Sequence, residues 1–502
     1  MTTLQALKEK WFIDLNMEGV FPPQSRHPSA MVFDHTEGNI VEPVIDGYAL
    51  MSDYHRRLTE MIEAPDPSVY EVWVSMWHFD KVKLLGVTNA AENALELTWK
   101  AAEAGVKIVF LGSGHLSRKR PHAKFSKELI ARGGRGTSDS RMPRLASHHQ
   151  KFVIYRYPEN HWVAVLGSMD ISKARWDTPG HLDHNPDRPL DGQGPTHDVS
   201  LKVEGPGAVD IALHFAERWN DPKNRSRTKP EITADLPVDF AFNLPDSKGS
   251  CAIQILRTYP VDPKHSFSWS DKGEFTIWAA YLNAIKKAQK YIYIEDQYLY
   301  SFGVPLAVER PPGVFRDSDL FFHIGEAIKR GVDVLILVPS RKGNPAAIPQ
   351  LHQRRKGARY LREISETTPG AGRFGICYPS IGKFDPVVHA KVMIVDDELA
   401  LVGSANVCQR SMAHDSEVHL AVVDGEDRFV RELRLALWME HMELDGPEAI
   451  QDPGQGFTGY VQNATEGKGR LRLFDIDKES RVPFHKTIMD RIIDPYKGPP
   501  RI

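Results

Sequence analysis

Short apolar runs alternate with amphipathic stretches along most of the chain, and the alternation occurs twice. In the first half an aromatic and β-branched run, Tyr70 to His78, predicts a strand; a helical stretch ending AAEAGV and a second strand, VKIVFLG, follow. In the second half KYIYIEDQY, a helical stretch ending EAIKRGV, and VDVLILVPS repeat that order. Each half continues with a basic loop, a His-x-Lys strand and a Gly-Ser turn. The offsets are nearly constant: 226 residues from Gly105 to Gly331, 240 from His149 to His389 and 236 from Gly167 to Gly403. A repeat of this length marks an internal duplication. Helices alternating with short strands predict the α/β class with a largely buried sheet.

The boundaries that follow are an N-terminal extension over residues 1–30, a first half over 31–235, a second over 236–445 and a packed C-terminal extension over 446–502. The seam near 220–250 is polar and contains proline, as a linker should. Apolar runs such as Val332 to Val338 are strand-sized and far short of the roughly 20 residues that cross a bilayer. The first residues lack an apolar secretory core, so a cytoplasmic protein is expected, with export by a signal-free route as the alternative.

Composition narrows the chemistry. The 502 residues carry 63 Lys+Arg and 66 Asp+Glu, a formal charge of −3, which argues against binding nucleic acid through global positive charge. No stable nucleic-acid partner is expected. Three cysteines cannot form a disulfide framework, and none stands in a zinc-type pattern. Charge is local instead: residues 115–144 contain nine Lys/Arg against Glu128 and Asp139, and a second basic run spans 354–359. Mobile basic loops at the site entrance, touching an anionic lipid surface peripherally, are the expectation. These features specify no oligomeric state.

The strongest chemical signal is the pair His149-x-Lys151 and His389-x-Lys391. Side chains two apart on a strand share a face, so each copy aims an imidazole and an ammonium at one spot. Two copies brought together would surround a single anion. Breaking a phosphodiester requires a nucleophile, an acid for the leaving oxygen and positive charge on the equatorial oxygens. One histidine can attack while the other serves as acid, and Lys151 and Lys391 neutralise the phosphate, so the chemistry calls for no metal and no cofactor. The turns Gly167-Ser168 and Gly403-Ser404 are expected to bring backbone and hydroxyls to the phosphate, with Asp170 and Asn406 beside them.

These segments resemble the phospholipase D superfamily, the enzymes with paired HxKxxxxD motifs. Val388-HAKVMIVDD, Gly403-SANVCQRSM, Asp415-SEV and IYIEDQY are similar to its second-half segments. HHQK, GSMDIS, Arg175-WDTPGH, Thr196-HDVSLKVEGP and Leu437-WMEH are similar to others. The resemblance implies two α-β-α sandwich halves packed as one pseudo-twofold bilobal unit, with the active site at their interface. It implies a phosphohistidine intermediate, with His149 as nucleophile and His389 as general acid and later base. It also implies that a downstream carboxylate in each half orients the other half's imidazole, Asp198 on His389 and Glu417 on His149. Glu295, Gln297 and Trp77 become substrate-contact candidates. Trp73, Trp162 and Trp176 read as core, and His115, His122, His148, His181 and His184 as solvated or supporting residues.

One position departs from the pattern. Asp396 completes HxKxxxxD in the second half, but Arg156 stands at the matching place in the first. A structural role for the motif aspartate, replaced by the YRYPENHW insertion, would leave activity intact.

The implied activity is hydrolysis of the headgroup phosphodiester of a phospholipid, or transfer of the phosphatidyl group to an alcohol. A phosphodiesterase acting on nucleic acid or a small-metabolite diester is the first alternative, and a catalytically silent phosphate- or lipid-binding protein the second. A cardiolipin-synthase role fits less well, because no transmembrane helix is predicted.

Overall fold

The computed structural model describes residues 3–15, 30–115, 117–143, 146–188, 194–221, 234–246, 248–260, 267–270, 273–300, 319–340 and 348–478. Arg144 of the basic stretch, residues 222–233 and 247 of the 220–250 seam and the C-terminal extension beyond 478 lie outside them.

After helix α1 (Leu4–Trp11), the first half runs β1 (Thr36–Ile45), α2 (Asp46–Glu63), β2 (Glu71–Met76), α3 (Ala94–Ala104), β3 (Lys107–Ser113), α4 (Lys119–Ala131), β4 (Arg135–Asp139), β5 (Phe152–Tyr157), β6 (His161–Gly167), β7 (Thr196–His197), β8 (Val199–Glu204) and α5 (Pro206–Asn220). The second half runs β9 (Cys251–Tyr259), β10 (Glu274–Phe275), α6 (Thr276–Lys287), β11 (Tyr291–Asp296), α7 (Leu320–Lys329), β12 (Asp333–Leu337), α8 (Ile348–Thr367), β13 (Phe374–Pro379), β14 (Val387–Val388), β15 (Lys391–Val395), β16 (Leu399–Gly403), α9 (Gln409–Ala413), β17 (Glu417–Asp424) and α10 (Phe429–Met442). Helix α11 (Pro453–Glu466) and β18 (Leu471–Leu473) follow.

Among the described residues sixteen strands form one sheet, and β7 and β14 pair parallel as a separate two-stranded sheet. Outward from its centre the first half reads β1-β8-β6-β5-β2-β3-β4 and the second β9-β17-β16-β15-β11-β12-β13. The two orders are the same, strand for strand, and β1 pairs antiparallel with β9 at the junction. In each half the three outer strands are parallel (β2-β3-β4 and β11-β12-β13) and the inner ones antiparallel. The duplication is therefore a duplicated topology, closed into a single sheet by its first strands.

Helices cover both faces, as a sheet buried on both sides requires. One core is continuous across the halves and contains α5, α10 and α11. Helix α5 is buried all round from Pro206 to Trp219, which fits its apolar composition and its place between layers. On the opposite face each half has its own core, under α2 and α3 in the first and under α6 and α7 in the second. Leu7 and Trp11 of α1 pack into the second-half core, so the N-terminal extension reaches past the first half. The C-terminal extension adds β18 antiparallel to β13 at the sheet edge.

The basic stretch corrects an expectation. Residues 119–131 form helix α4 and not a loop, because His122, Phe125, Ser126 and Leu129 recur at helical spacing and are buried. Lys119, Arg120, Lys124 and Lys127 occupy its exposed side. The run 354–359 is likewise inside α8, where the Arg354 guanidinium is buried and donates to the carbonyls of Gln297, Tyr298 and Pro339. It is packing, not a lipid-facing patch. No helix among the described residues is long and apolar enough to cross a membrane.

Candidate active site

The approach to each His-x-Lys pair is tied to the other half by matching backbone exchanges. The His149 N–H donates to Ser416 O (3.0 Å) and the Ser416 N–H to Ser147 O (2.9 Å). In the counterpart, β14 pairs with β7, and the His389 N–H donates to His197 O (2.8 Å). Each histidine thus stands opposite the segment that carries the other half's carboxylate. Nδ1 of His149 lies 2.9 Å from Glu417 Oε2, and Nδ1 of His389 lies 2.8 Å from Asp198 Oδ1. Holding Nδ1 on a carboxylate leaves Nε2 of each ring free for chemistry.

The histidines lie just outside the regular strands, since β5 begins at Phe152 and β15 at Lys391. Period-two alternation survives there nonetheless. Gln150 turns to Tyr259 and His214, away from its neighbours, and Ala390 is buried in the core shared by the halves. The ammonium of Lys151 donates to His149 O at 2.5 Å, and that of Lys391 to His389 O. Asp170 Oδ2 lies 3.9 Å from Lys151 Nζ, while Gln297 Oε1 lies 3.5 Å from Lys391 Nζ. Asn406, at the position matching Asp170, is buried with no hydrogen-bond partner for Oδ1 among the described residues.

Burial and the clustered ammoniums govern the protonation. His149 is held well below the ordinary histidine range, by burial first and then by Lys151. His389 moves the same way, through burial, Arg175 and Lys391. Both imidazoles are neutral at rest. Burial lowers Lys391 to about 7 and raises Glu417 to about 7. The His149 side chain is 16% exposed against 4% for His389, so the first-half imidazole is the more open to a ligand.

Trp77 stands at the same place. Its ring meets the His149 imidazole edge-on at 5.8 Å between centroids, and the Arg118 guanidinium lies 4.7 Å above it. Arg118 and Arg175, whose Nε is 3.8 Å from Asp198 Oδ2, were not foreseen. Arg175 lies in the RWDTP segment, which was legible as a motif but not as a contact.

Three expectations change. Ser168 and Ser404 are fully buried and donate to Asp198 Oδ1 and Glu417 Oε2, both at 2.6 Å, instead of facing a phosphate. Gly167 and Gly403 make that approach possible. A Cβ on Gly167 would come within 2.3 Å of Ser200 Cα, and one on Gly403 within 2.3 Å of Val418 O, so the glycines serve a close strand contact and not a ligand. Glu295 is fully buried, with its oxygens taken by His197 (2.9 Å), His441 (2.9 Å) and Tyr293 (2.7 Å), and is withdrawn from the substrate.

The motif aspartate also finds its explanation. Asp396 accepts backbone N–H groups of Gln289, Lys290 and Tyr291 at 2.8–3.0 Å, closing the turn that enters β11. In the first half the matching entry to β2 is a 3₁₀ turn, Pro67–Val69, capped locally by Asp66 through the Ser68 N–H and hydroxyl. Arg156 instead pairs with Glu71 at 3.0 Å and lies 4.9 Å over Trp162. Trp73, Trp162 and Trp176 are core. His122, His148 and His181 are buried and hydrogen-bonded, not solvated.

Two halves of one topology each bring an imidazole and an ammonium to a shared interface, and each half's carboxylate orients the other's imidazole. Comparisons with known proteins agree. The family model "Phospholipase D" matches residues 125–303, and "Cardiolipin synthase, PLD-like domain" matches residues 281–437. The chain belongs to the phospholipase D superfamily. It is 26% identical over 430 residues to phospholipase D alpha 1 of Zea mays, covering 63% of this chain and 52% of that protein. It is 25% identical over 433 residues to phospholipase D1 of Saccharomyces cerevisiae, covering 66% and 24%. The chain spans about half the length of the plant relatives it matches. The crystal structure of phosphatidylserine synthase from Haemophilus influenzae shares the fold, with a TM-score of 0.52 at 12% identity, over 83% of this chain and 92% of that one.

Proposed function

We propose that the chain is a phospholipase D-type enzyme that cleaves the headgroup phosphodiester of a phospholipid, or passes the phosphatidyl group to an alcohol, without a metal at the phosphate. One observation carries the reading: each half's His-Lys pair is oriented by a carboxylate from the other half. The two halves, 31–235 and 236–445, act as a single catalytic unit.

Nε2 of neutral His149 attacks phosphorus, and the bond from phosphorus to the headgroup oxygen breaks. His389 gives its proton to the departing alcohol. Although His389 is neutral in the free site, the negative phosphodiester offsets the ammoniums that depress it, so substrate brings the acid into its working state. Lys151 and Lys391 balance charge on the equatorial oxygens. Water or an alcohol, deprotonated by His389, then attacks the phosphohistidine and frees His149. Trp77, under Arg118, lies where a headgroup would enter.

The exposed cations of α4 supply a peripheral contact for an anionic membrane surface, replacing the two loops expected from sequence. The test is incubation of the purified protein with mixed phospholipids and excess ethanol, followed by mass spectrometry. Phosphatidic acid together with phosphatidylethanol is the expected result; absence of both from folded protein contradicts the lipid reading.

A further inference from the structure

Arg175 brings to the His389 side of the site a charge that its surroundings do not answer. It closes a 3₁₀ turn, Lys173–Arg175, eight residues after Gly167. The turn is clamped: a Cβ on Gly47 of α2 would collide with Arg175 O, and the buried Trp176 indole donates to Leu84 O at 3.1 Å. The Arg175 side chain is 15% exposed, and its buried Nε has no hydrogen-bond partner among the described residues. Asp198 Oδ2, at 3.8 Å, is too far for one. We propose that Arg175 is a catalytic residue, a third cation that donates hydrogen bonds to a phosphate oxygen on the His389 side. The inference rests on the phosphodiester chemistry proposed above.

The duplication supplies the comparison that carries this. Arg410 follows Gly403 by seven residues, and its Nε donates to Asp415 Oδ2 at 2.7 Å. Asp415 also accepts the Ser147 N–H at 2.7 Å, so Arg410 is spent on holding the two halves together. Asp415 stands two residues before Glu417; the same place before Asp198 is taken by the uncharged Thr196. The Thr196 hydroxyl donates to Ala174 O at 3.1 Å instead. One half therefore pairs its arginine with a dedicated carboxylate and the other does not. Asp198 is no substitute, because its Oδ1 already takes Ser168 and Nδ1 of His389.

The electrostatics agree with that placement. After burial, Arg175 depresses His389 more than Lys391, Lys151 or His149 does, and it also lowers both lysines. A charge felt by His389, Lys151 and Lys391 together lies among the groups that surround the phosphate. As the bond from His149 Nε2 to phosphorus forms and the bond to the headgroup oxygen breaks, the His389 proton passes to that oxygen. Arg175 transfers nothing in this step: its guanidinium holds its charge where an ammonium can titrate, and it offsets charge on the phosphate oxygens.

A phosphatidyl ester of p-nitrophenol, whose leaving oxygen needs no acid, separates contact with phosphate from support of His389. Arg175→Gln should slow the nitrophenolate burst about a hundred-fold, with Arg175→Lys recovering part of the loss. The same factor should appear in a His389→Ala background, since the guanidinium acts on phosphate directly. A loss that vanishes in that background would make Arg175 a support for His389 and overturn the proposal, as would an undiminished burst in Arg175→Gln. Calorimetry with inorganic phosphate gives a readout free of turnover: Arg175→Gln should bind about ten-fold or more weakly than the wild type. Equal affinity in the two, or none in either, overturns the contact. Phosphate binding that depends on Arg175 in a protein that turns over no lipid would instead uphold the contact and refute the lipid reading.

Discussion

The hydroxyl of Ser168 and Nδ1 of His389 converge on the same oxygen of Asp198, at 2.6 and 2.8 Å. Ser404 and His149 repeat this on Oε2 of Glu417, at 2.6 and 2.9 Å. The serines are therefore positioning residues that keep each carboxylate aimed across the interface. Ser168→Ala or Ser404→Ala removes a hydrogen bond to a carboxylate, worth about 1.5–3 kcal/mol. Steady-state kinetics should show kcat reduced roughly ten-fold or more with KM little changed. A rise in KM alone would return the serines to the phosphate.

The two halves should respond unequally at the motif position. Asp396→Ala strands three N–H groups at the entry to β11 and should destabilise the fold by about 3 kcal/mol. Arg156→Ala breaks a half-exposed ion pair and should cost under about 1 kcal/mol, leaving turnover intact. Urea unfolding of the two variants measures the difference. Comparable losses would mean Arg156 has taken over the aspartate's structural task.

Much of this was legible. The repeated His-x-Lys and Gly-Ser offsets located both halves, because duplicated chemistry leaves duplicated spacing. What sequence hid was direction and distance. Ser168 and Ser404 are recognisable as motif residues, but whether they face phosphate or carboxylate depends on a strand contact that only Gly167 and Gly403 hint at. Helix α4 was obscured by its charges, although His122, Phe125 and Leu129 mark its buried side.

Activity should fall on the alkaline side. Lys391 is held to about 7 in the free site, so raising pH through 7 removes an ammonium needed to bind the phosphodiester. The decline of kcat/KM, begun at lower pH by the loss of the His389 proton, should therefore steepen above about pH 7, while kcat declines at higher pH because bound phosphate favours the charged forms. The neutral state of His149 persists well below 6.5, placing the acid limb lower still. Residual activity of Lys391→Arg should lack the steepening above about pH 7. A wild-type kcat/KM flat to pH 9 would refute the assignment.

Replacing Lys119, Arg120, Lys124 and Lys127 with glutamate reverses the exposed charge of α4. Each cation near an anionic bilayer contributes about 1 kcal/mol. Sedimentation with phosphatidylserine-containing vesicles should drop sharply, whereas hydrolysis of a short-chain monomeric lipid should not. Unchanged vesicle binding would remove α4 from the membrane contact.

The central claim is that His149 becomes covalently phosphorylated while His389 handles protons from across the interface. Rapid mixing with a short-chain phospholipid, an alkaline quench that preserves phosphohistidine, and peptide mass spectrometry address it directly. A phosphatidyl adduct is expected on the peptide containing His149, absent from His149→Ala and still formed, but slow to decay, in His389→Ala. An adduct on His389, or lipid turnover that survives His149→Ala, would contradict it.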